Sequence, residues 1–173
     1  MGYTHYWRQL RDFTDTEWQE LMRLTKLITA SSGRDIILSE FNINNEEIRF
    51  NGYGEEGHET FLITKKKRAK RQYEEQEAYD RQGAFEFCKT AHKPYDKYVV
   101  AVLCALYNMA GQKEWPLGDG KIMSISSDGN TEDWTEGLFH AVRSTREQEM
   151  VCPIRDCLTL SYVDYVDQEK KTG

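Results

Sequence analysis

The sequence predicts a single α+β domain in which one mixed β-sheet carries three main helices. The chain has 173 residues, the size of one ordinary domain. Hydrophobic residues make up 39% of it and charged residues 30%, as in soluble globular proteins. Strand-like segments alternate with segments of helical periodicity, which is typical of a sheet covered by helices. We place this domain at residues 1–166.

A strand and a capped helix are predicted first. Residues 3–7 form a short, mostly aromatic segment, which is typical of a strand. Thr14 and Glu17 have the spacing of a capping box, and the phenylalanine before Thr14 can pack on the tryptophan after Glu17. Gly33 stands where a left-handed residue would end this helix.

Three strands are predicted next, at residues 36–38, 48–50 and 58–64. A polar turn at residues 42–45 separates the first two, and a glycine-rich loop at residues 51–57 separates the last two. Apolar and polar residues alternate in the third strand, so one of its faces should be buried.

Residues 65–82 form a charged arm inserted in the domain. The arm begins with a basic run and ends with an acidic one. Lys70 with Glu74, and Arg71 with Glu75, have the spacing of helical ion pairs, which favours a solvated helix or a hairpin arm. The alternative is a contact with nucleic acid or a targeting role, but blocks of charge are usually solvated.

The second half of the chain continues with a strand at residues 84–87 and a buried helix. Pro94 suits the first position of that helix, and Gly111 should end it. A strand at residues 121–125 and a helix capped by Asn130 or Thr131 follow.

The end of the chain is predicted to hold one last strand and a tail. The alternation at residues 158–162 favours a strand. The tail at residues 167–173 is polar, and we expect it to be disordered.

Composition excludes several classes of protein. The net charge of −6 and the pI of about 5.3 argue against a general nucleic-acid-binding protein. No apolar run is long enough to span a membrane, and no signal peptide is evident. We therefore expect a cytoplasmic protein. The four cysteines lack metal-binding spacing and are expected to be free thiols, although Cys152 and Cys157 are near enough in sequence to pair.

The turn between the strand at 84–87 and the buried helix is the strongest candidate site. Lys89 and Lys93 flank the predicted helix start, where backbone N–H groups carry a partial positive charge. Thr90 adds a hydroxyl and His92 an imidazole. Such turns bind phosphates and carboxylates. The alternative is that Asp96 caps the helix and the lysines are only solvated.

His58 begins a second candidate motif. The sequence His-Glu-Thr-Phe from His58 is similar to the motif of two-histidine phosphoesterases, which need two facing copies for acid and base. Neither His5 nor His140 lies in a second copy. The alternative is a strand with a surface histidine.

No metal site or cofactor is predicted. The histidines are scattered along the chain, and Asp128 with Asp133 is more typical of a turn with a helix cap than of a cation loop. Phosphate-binding and dinucleotide-binding glycine motifs are absent from the sequence.

Several segments resemble a family of small phage, prophage and bacterial proteins. They read GYTHYW from Gly2, FNG from Phe50, HETF from His58, FCKTAHKPYD from Phe87 and SSDG from Ser126. The resemblance covers most of residues 2–137, and residues 65–82 and those after Arg143 are additions to it. It implies phage or prophage origin, and with it a place in the host cytoplasm, but no activity, because the family has none assigned. The family more often has arginine where His92 stands, so a role for that position stays open.

The polar residues of these segments are expected to line one crevice, because polar strand ends and turns converge at sheet edges. A ligand with a phosphate and a base or sugar would match the two lysines, the helix start and the aromatic residues. The predicted ligand-binding residues are His5, Tyr6, Asn51, Glu59, Lys89, Thr90, Lys93, Tyr95, Asp96, Ser127 and Asp128.

The main functional hypothesis is a phage-type protein that binds a small anionic, nucleotide-like molecule and sequesters a host nucleotide immune signal. One alternative is a nucleotide phosphodiesterase or hydrolase that uses His58 with His5 or His92. Another is a protein–protein inhibitor that acts through the arm at 65–82. A homodimer is compatible with the many aromatic residues, whereas neither a membrane nor nucleic acid is expected as a partner.

Overall fold

A computed structural model describes residues 2–34, 36–110, 122–154 and 159–172 of the chain. Helices and strands are interspersed along it. The elements are β1 (Thr4–Gln9), α1 (Asp15–Thr29), β2 (Leu38–Ile43), β3 (Glu47–Gly52), β4 (Phe61–Thr64), α2 (Gln76–Gln82), β5 (Ala84–Lys89), α3 (Asp96–Ala110), β6 (Met123–Ser127), α4 (Thr131–Thr145), β7 (Glu149–Val151), β8 (Thr159–Ser161) and α5 (Tyr162–Thr172).

The strands form small antiparallel sheets. Their orders are β5–β1–β6, β2–β3–β4 and β7–β8. The predicted single α+β domain is confirmed, but the prediction of one mixed sheet is wrong for the described strands. Periodicity shows that a segment is a strand and leaves its partner open. Here β2, β3 and β4 pair only with their chain neighbours, while β1 pairs with two distant strands.

The core lies around α3, which packs against α1 and α4. Residues 99–106 of α3 are buried on every side of the helix. Gly137 lets α4 approach closely, because a Cβ there would lie 2.3 Å from Val100 Cγ1. These three helices are the ones whose apolar stripes are visible in the sequence.

The start of α1 confirms the predicted capping box. Glu17 N–H donates to Thr14 Oγ1, and Thr14 N–H donates to the carboxylate of Glu17. Phe13 and Trp18 pack edge to face with ring centroids 5.2 Å apart. The Trp18 indole also donates to the carbonyl of Asn44 over 2.9 Å, which ties α1 to the turn between β2 and β3.

Several boundaries differ from the prediction, among them the start of α3 and the tail. Pro94 lies in the turn before α3 and not at its first position, because the helix begins at Asp96. The predicted disordered tail includes most of α5, which packs on α4 and β8. Packing on neighbours can stabilise a helix whose composition alone gives no such signal. Gly111, Lys121 and Gly173 lie outside the described residues.

The charged arm docks onto the edge of β5. Arg68 makes two hydrogen bonds of 2.7 Å with the Glu74 carboxylate, pairs with Glu86 and donates to the carbonyl of Phe85 over 2.7 Å. Residues 70–75 are not helical, so the predicted helical pair of Lys70 with Glu74 is wrong; the lysine donates instead to the Glu74 backbone carbonyl. The arm thus covers hydrogen-bonding groups of an edge strand.

Candidate functional site

Four of the predicted site residues form one hydrogen-bonded polar cluster, in which His5 and Thr90 are buried and Asp96 and Ser127 half-buried. His5 on β1 is fully buried, and its Nε2 lies 2.6 Å from Asp96 Oδ1. Thr90 donates its hydroxyl to the same carboxylate oxygen over 2.5 Å. The fourth residue, Ser127, lies 2.9 Å from His5 Nδ1. This cluster joins the ends of β1, β5 and β6 to the start of α3.

Hydrogen-bond counting fixes the tautomer of His5. Ser127 Oγ accepts the backbone N–H of Gly129 over 2.9 Å and the indole N–H of Trp134 over 3.2 Å. Both of its lone pairs are therefore used, so its hydroxyl donates to His5 Nδ1. The imidazole then carries its proton on Nε2 and donates it to Asp96.

A serine, a histidine and an aspartate in one chain of hydrogen bonds are also the groups of a hydrolase triad. A nucleophilic serine must be exposed to substrate, and its hydroxyl must be free to lose a proton to the histidine. Ser127 is held by two donors, and the imidazole of His5 has no exposed surface. The arrangement therefore suits a structural role that positions the strand ends.

The start of α3 is occupied by its own aspartate. The backbone N–H of Asp96 donates to the Lys93 carbonyl over 2.9 Å. The carboxylate of Asp96 stays at the positive end of the helix, where it complements the helix dipole. An external anion would meet this negative charge, so the helix terminus itself is a poor anion site. The ammonium groups of Lys89 and Lys93, in contrast, have no hydrogen bond or ion pair within the described ranges.

The turn between β5 and α3 has an unusual backbone. Ala91 and His92 have φ angles of 51° and 57°, and the Lys93 N–H donates to the Thr90 carbonyl over 3.0 Å. This is a type I′ geometry, which glycine and asparagine normally occupy. The Tyr3 carbonyl accepts the N–H groups of both Thr90 and Ala91, and the Tyr3 ring stacks on His92 at 3.7 Å. The N-terminal segment thus holds the turn.

Tyr3 itself has an unsatisfied polar group. Its ring is buried and its hydroxyl has no hydrogen-bond partner among the described residues. Burial, and then the negative charge of Asp96, raise the pKa of this hydroxyl well above its usual range. A Cβ on Gly129 would lie 2.6 Å from the hydroxyl oxygen, so glycine is needed for the ring to fit.

Glu59 and Tyr95 join the two larger sheets. The Glu59 N–H donates to the Lys89 carbonyl over 3.2 Å, and the Lys89 N–H donates to the Glu59 carboxylate over 2.8 Å. The Tyr95 hydroxyl donates to the Glu59 carbonyl over 2.6 Å. Tyr95 is fully buried, and burial raises the pKa of its hydroxyl. Burial also raises the pKa of the Cys88 thiol to about 12. Their contacts make these residues parts of the scaffold.

Asn51 organises the glycine-rich loop rather than facing the cluster. Its side-chain oxygen accepts the N–H groups of Gly52 and His58, and its amide donates to the His58 carbonyl over 3.0 Å. His58 is exposed. Among the described residues, no second histidine stands beside it as an acid–base partner. His5 and His140 are buried, and His92 stacks on Tyr3.

Of the remaining predicted residues, Tyr6 and Lys89 lie on the solvent side of the β5–β1–β6 sheet, Asp128 directly follows β6, and Lys93 lies in the turn before α3. Residues directly opposite each other in antiparallel strands share a face. We call this surface the outer sheet face; its residues are Thr4, Tyr6, Arg8, Phe85, Phe87, Lys89, Ser124 and Ser126. The Tyr6 hydroxyl donates to the carboxylate of Asp128 over 3.1 Å at the end of this face.

Aromatic and cationic side chains adjoin on the outer sheet face. The rings of Tyr6 and Phe85 are nearly parallel, with centroids 6.0 Å apart, and Phe87 lies 6.0 Å from Phe85. The Arg8 guanidinium lies over the Phe85 ring at 4.9 Å. Phe87 is 47% exposed, a large fraction for a phenylalanine on a sheet. No ion pair of Arg8 or Lys89 is found among the described residues.

The sequence pattern did not identify Arg8, Phe85 and Phe87 as site residues. Phe85, Phe87 and Lys89 alternate along β5, a signal that they share a face. That this face also includes Tyr6 and Arg8 depends on the pairing of β1 with β5, which becomes visible only in the structure.

Neither a metal cluster nor a membrane span emerges in the part of the chain that the structure describes. Groups of three or more His, Cys, Asp or Glu side chains placed to hold a metal ion are not found there. Asp128 accepts the Thr4 N–H, and Asp133 belongs to the capping box of Asn130. No described helix is long and apolar enough to cross a membrane. Cys88, Cys104 and Cys152 are free and buried, whereas Cys157 lies outside the described residues.

Comparison of the chain with models of protein families, with curated proteins and with solved structures gave no match.

Proposed function

We propose that this protein binds a small, anionic, nucleotide-like molecule on the outer sheet face and holds it without transforming it. The observation that carries the proposal is the group of Tyr6, Phe85 and Phe87 beside the cations Arg8 and Lys89. Exposed aromatic rings on a sheet can stack on nucleobases, and neighbouring basic side chains can neutralise phosphates. The buried cluster of His5, behind this face, keeps its strands in register.

Binding fits the geometry better than hydrolysis does. Ser127 and His5 are committed to hydrogen bonds inside the cluster. His58 is exposed, and no hydrogen bond or ring contact joins it to another histidine among the described residues. Release of an unchanged nucleotide after incubation with stoichiometric protein, judged by mass spectrometry, would support binding. Turnover that His58→Ala abolishes would support the hydrolase instead.

The inhibitor hypothesis for the arm has less support. The arm is tied to the domain through Arg68, and Lys65 pairs with Asp15. Cations that already pair with carboxylates contribute less to the binding of another molecule.

The proposed site is tested by calorimetry with AMP, GMP, CMP and UMP. We expect at least one to bind, and Arg8→Ala with Lys89→Ala to weaken its binding at least about tenfold through loss of charge-assisted contacts. Lys26→Ala, which removes an exposed lysine of α1, is the matched control and should leave affinity unchanged. Unchanged affinity in the double variant would reject the site.

A sequestering role in phage infection extends the proposal through the family resemblance. A protein that holds a nucleotide signal without degrading it lowers the free concentration of that signal. The expectation is that protein added in excess over a host nucleotide immune signal removes it from solution, and that heat denaturation of the protein returns it intact. Degraded nucleotide in the released fraction would contradict sequestration.

A further inference from the structure

We infer that the ligand of the outer sheet face contains two bases joined by a phosphodiester, and is therefore a dinucleotide. This inference rests on the proposed function. It deepens that proposal by naming the size and chemistry of the ligand.

Two separate ring positions support a ligand with two bases. Phe85 and Phe87 are alternate residues of one strand, with centroids 6.0 Å apart and planes tilted by 35°. Stacked bases of one strand are only about 3.4 Å apart. Two bases that each cover their own ring would be unstacked from one another, as in single strands that bind to aromatic sheet residues. The Tyr6 ring, nearly parallel to the Phe85 ring, enlarges the aromatic surface available to the base at Phe85.

Two cations at opposite ends of the rings support more than one negative charge. Arg8 lies opposite Phe85, and Lys89 lies opposite Thr4 at the far end of the strand pair. Phe85 and Lys89 are four positions apart on β5, which is about 13 Å along a strand. The two cationic side chains therefore start well apart and offer positions for more than one phosphate. A 5′-phosphorylated dinucleotide has a terminal phosphate and a phosphodiester that can each approach one of them.

Electrostatics disfavour a much longer strand. The chain carries a net charge of −6, and Asp128 places a carboxylate at the end of the face. A long polyanion gains affinity mainly from many phosphate contacts with basic residues. The strongest basic run of the sequence lies in the arm, where Lys65, Arg68 and Arg71 already pair with carboxylates.

The test compares AMP, the 5′-phosphorylated diadenylate pApA and an octaadenylate by calorimetry with the full chain. Stacking of a second base on its own ring predicts that pApA binds at least about tenfold more tightly than AMP. The octaadenylate should bind more tightly than pApA only by the statistical factor that comes from its larger number of dinucleotide positions. Phe87→Ala should bring the affinity for pApA down to about that for AMP.

Phe41→Ala provides the matched control. Phe41 is 49% exposed, close to the 47% of Phe87, but it lies on β2 of the other sheet. Its loss should leave all three affinities unchanged, and circular dichroism should show that both variants fold.

Each other outcome overturns a stated part of the account. Equal affinities for AMP and pApA overturn the inference and leave the proposed function standing. Much tighter binding of the octaadenylate replaces the dinucleotide with a longer strand. An affinity for pApA that Phe87→Ala leaves unchanged rules out Phe87 as the second base position and overturns the inference. A lack of binding by all three adenylates also overturns the inference, while the calorimetry with the four mononucleotides decides the proposed function separately.

Discussion

His5 Nε2 and Asp96 Oδ1 lie 2.6 Å apart, which joins the first strand of the protein to the first turn of its central helix. The contact spans 91 residues of chain and is closed off from solvent on the histidine side. Around it, Thr90 and Ser127 complete the hydrogen bonds of both groups. The outer sheet face depends on this contact, because it fixes the ends of the strands that present Tyr6 and Lys89.

Ser127 should be more important for stability than its small size suggests. Ser127→Ala removes the acceptor for Trp134 and Gly129 and leaves His5 Nδ1 without a donor. Unpaired buried polar groups cost about 1–3 kcal/mol each, so we expect the free energy of unfolding in urea to fall by about 2–4 kcal/mol. Ser126→Ala, at the exposed neighbouring serine, should change it by less than about 0.5 kcal/mol. Equal losses in the two variants would argue against the cluster.

Gly129 and Tyr3 should be energetically coupled. Gly129→Ala places a methyl group 2.6 Å from the Tyr3 hydroxyl and 2.8 Å from its ring. Overpacking of this kind costs about 1–3 kcal/mol. Tyr3→Phe removes an unpaired buried hydroxyl and should cost about 0 kcal/mol or stabilise slightly. In a double-mutant cycle, Tyr3→Phe should recover part of the loss caused by Gly129→Ala. Strictly additive effects would show that the two residues do not touch.

Ala91 should benefit from replacement by glycine. A left-handed conformation costs a non-glycine residue about 1–2 kcal/mol, whereas glycine adds about 0.5–1 kcal/mol of backbone entropy. Ala91→Gly should therefore leave stability unchanged or raise it slightly in thermal denaturation. Ala30→Gly is the control, because Ala30 has a right-handed φ of −61° and can only lose stability. If both variants lose the same amount, the φ of Ala91 is not left-handed in solution.

The arm should loosen in acid. Hydrogen bonds from Arg68 hold the pKa of Glu74 at about 2, below its ordinary value. The carboxylate thus stabilises the folded state fully above the unfolded pKa of about 4.3, and this contribution is lost as pH falls toward 2. Glu74→Gln should lower the free energy of unfolding at pH 6 and have progressively less effect at pH 3 and below. An effect independent of pH would mean that the charge of Glu74 does not matter.

Local signals in the sequence predicted the starts of α1 and α4 correctly. Thr14 and Glu17 form a capping box within four residues of chain, and Asn130 and Asp133 form another over the same short range. Gly33, with a φ of 89°, has the predicted left-handed conformation just past α1. Such features need no knowledge of the rest of the chain.

Long-range relationships could not be predicted in the same way. The sequence pattern identified His5 and Asp96 as candidate site residues, but it could not show that they form a hydrogen bond with each other. Likewise, Phe87 and Arg8 belong to one surface only because β1 pairs with β5. Pairing over such separations depends on the packing of the whole domain, and a single sequence does not reveal it.

The most direct test of the proposed binding is a titration of isotope-labelled protein with the tightest-binding nucleotide, followed by amide signals in two-dimensional NMR spectra. The account predicts that shifts concentrate at residues 4–8 and 85–89, while the signals of Phe41 and Tyr53 on the other sheet stay in place. An unchanged spectrum at saturating nucleotide, or shifts confined to residues 37–53, would contradict the claim that the outer sheet face binds this ligand.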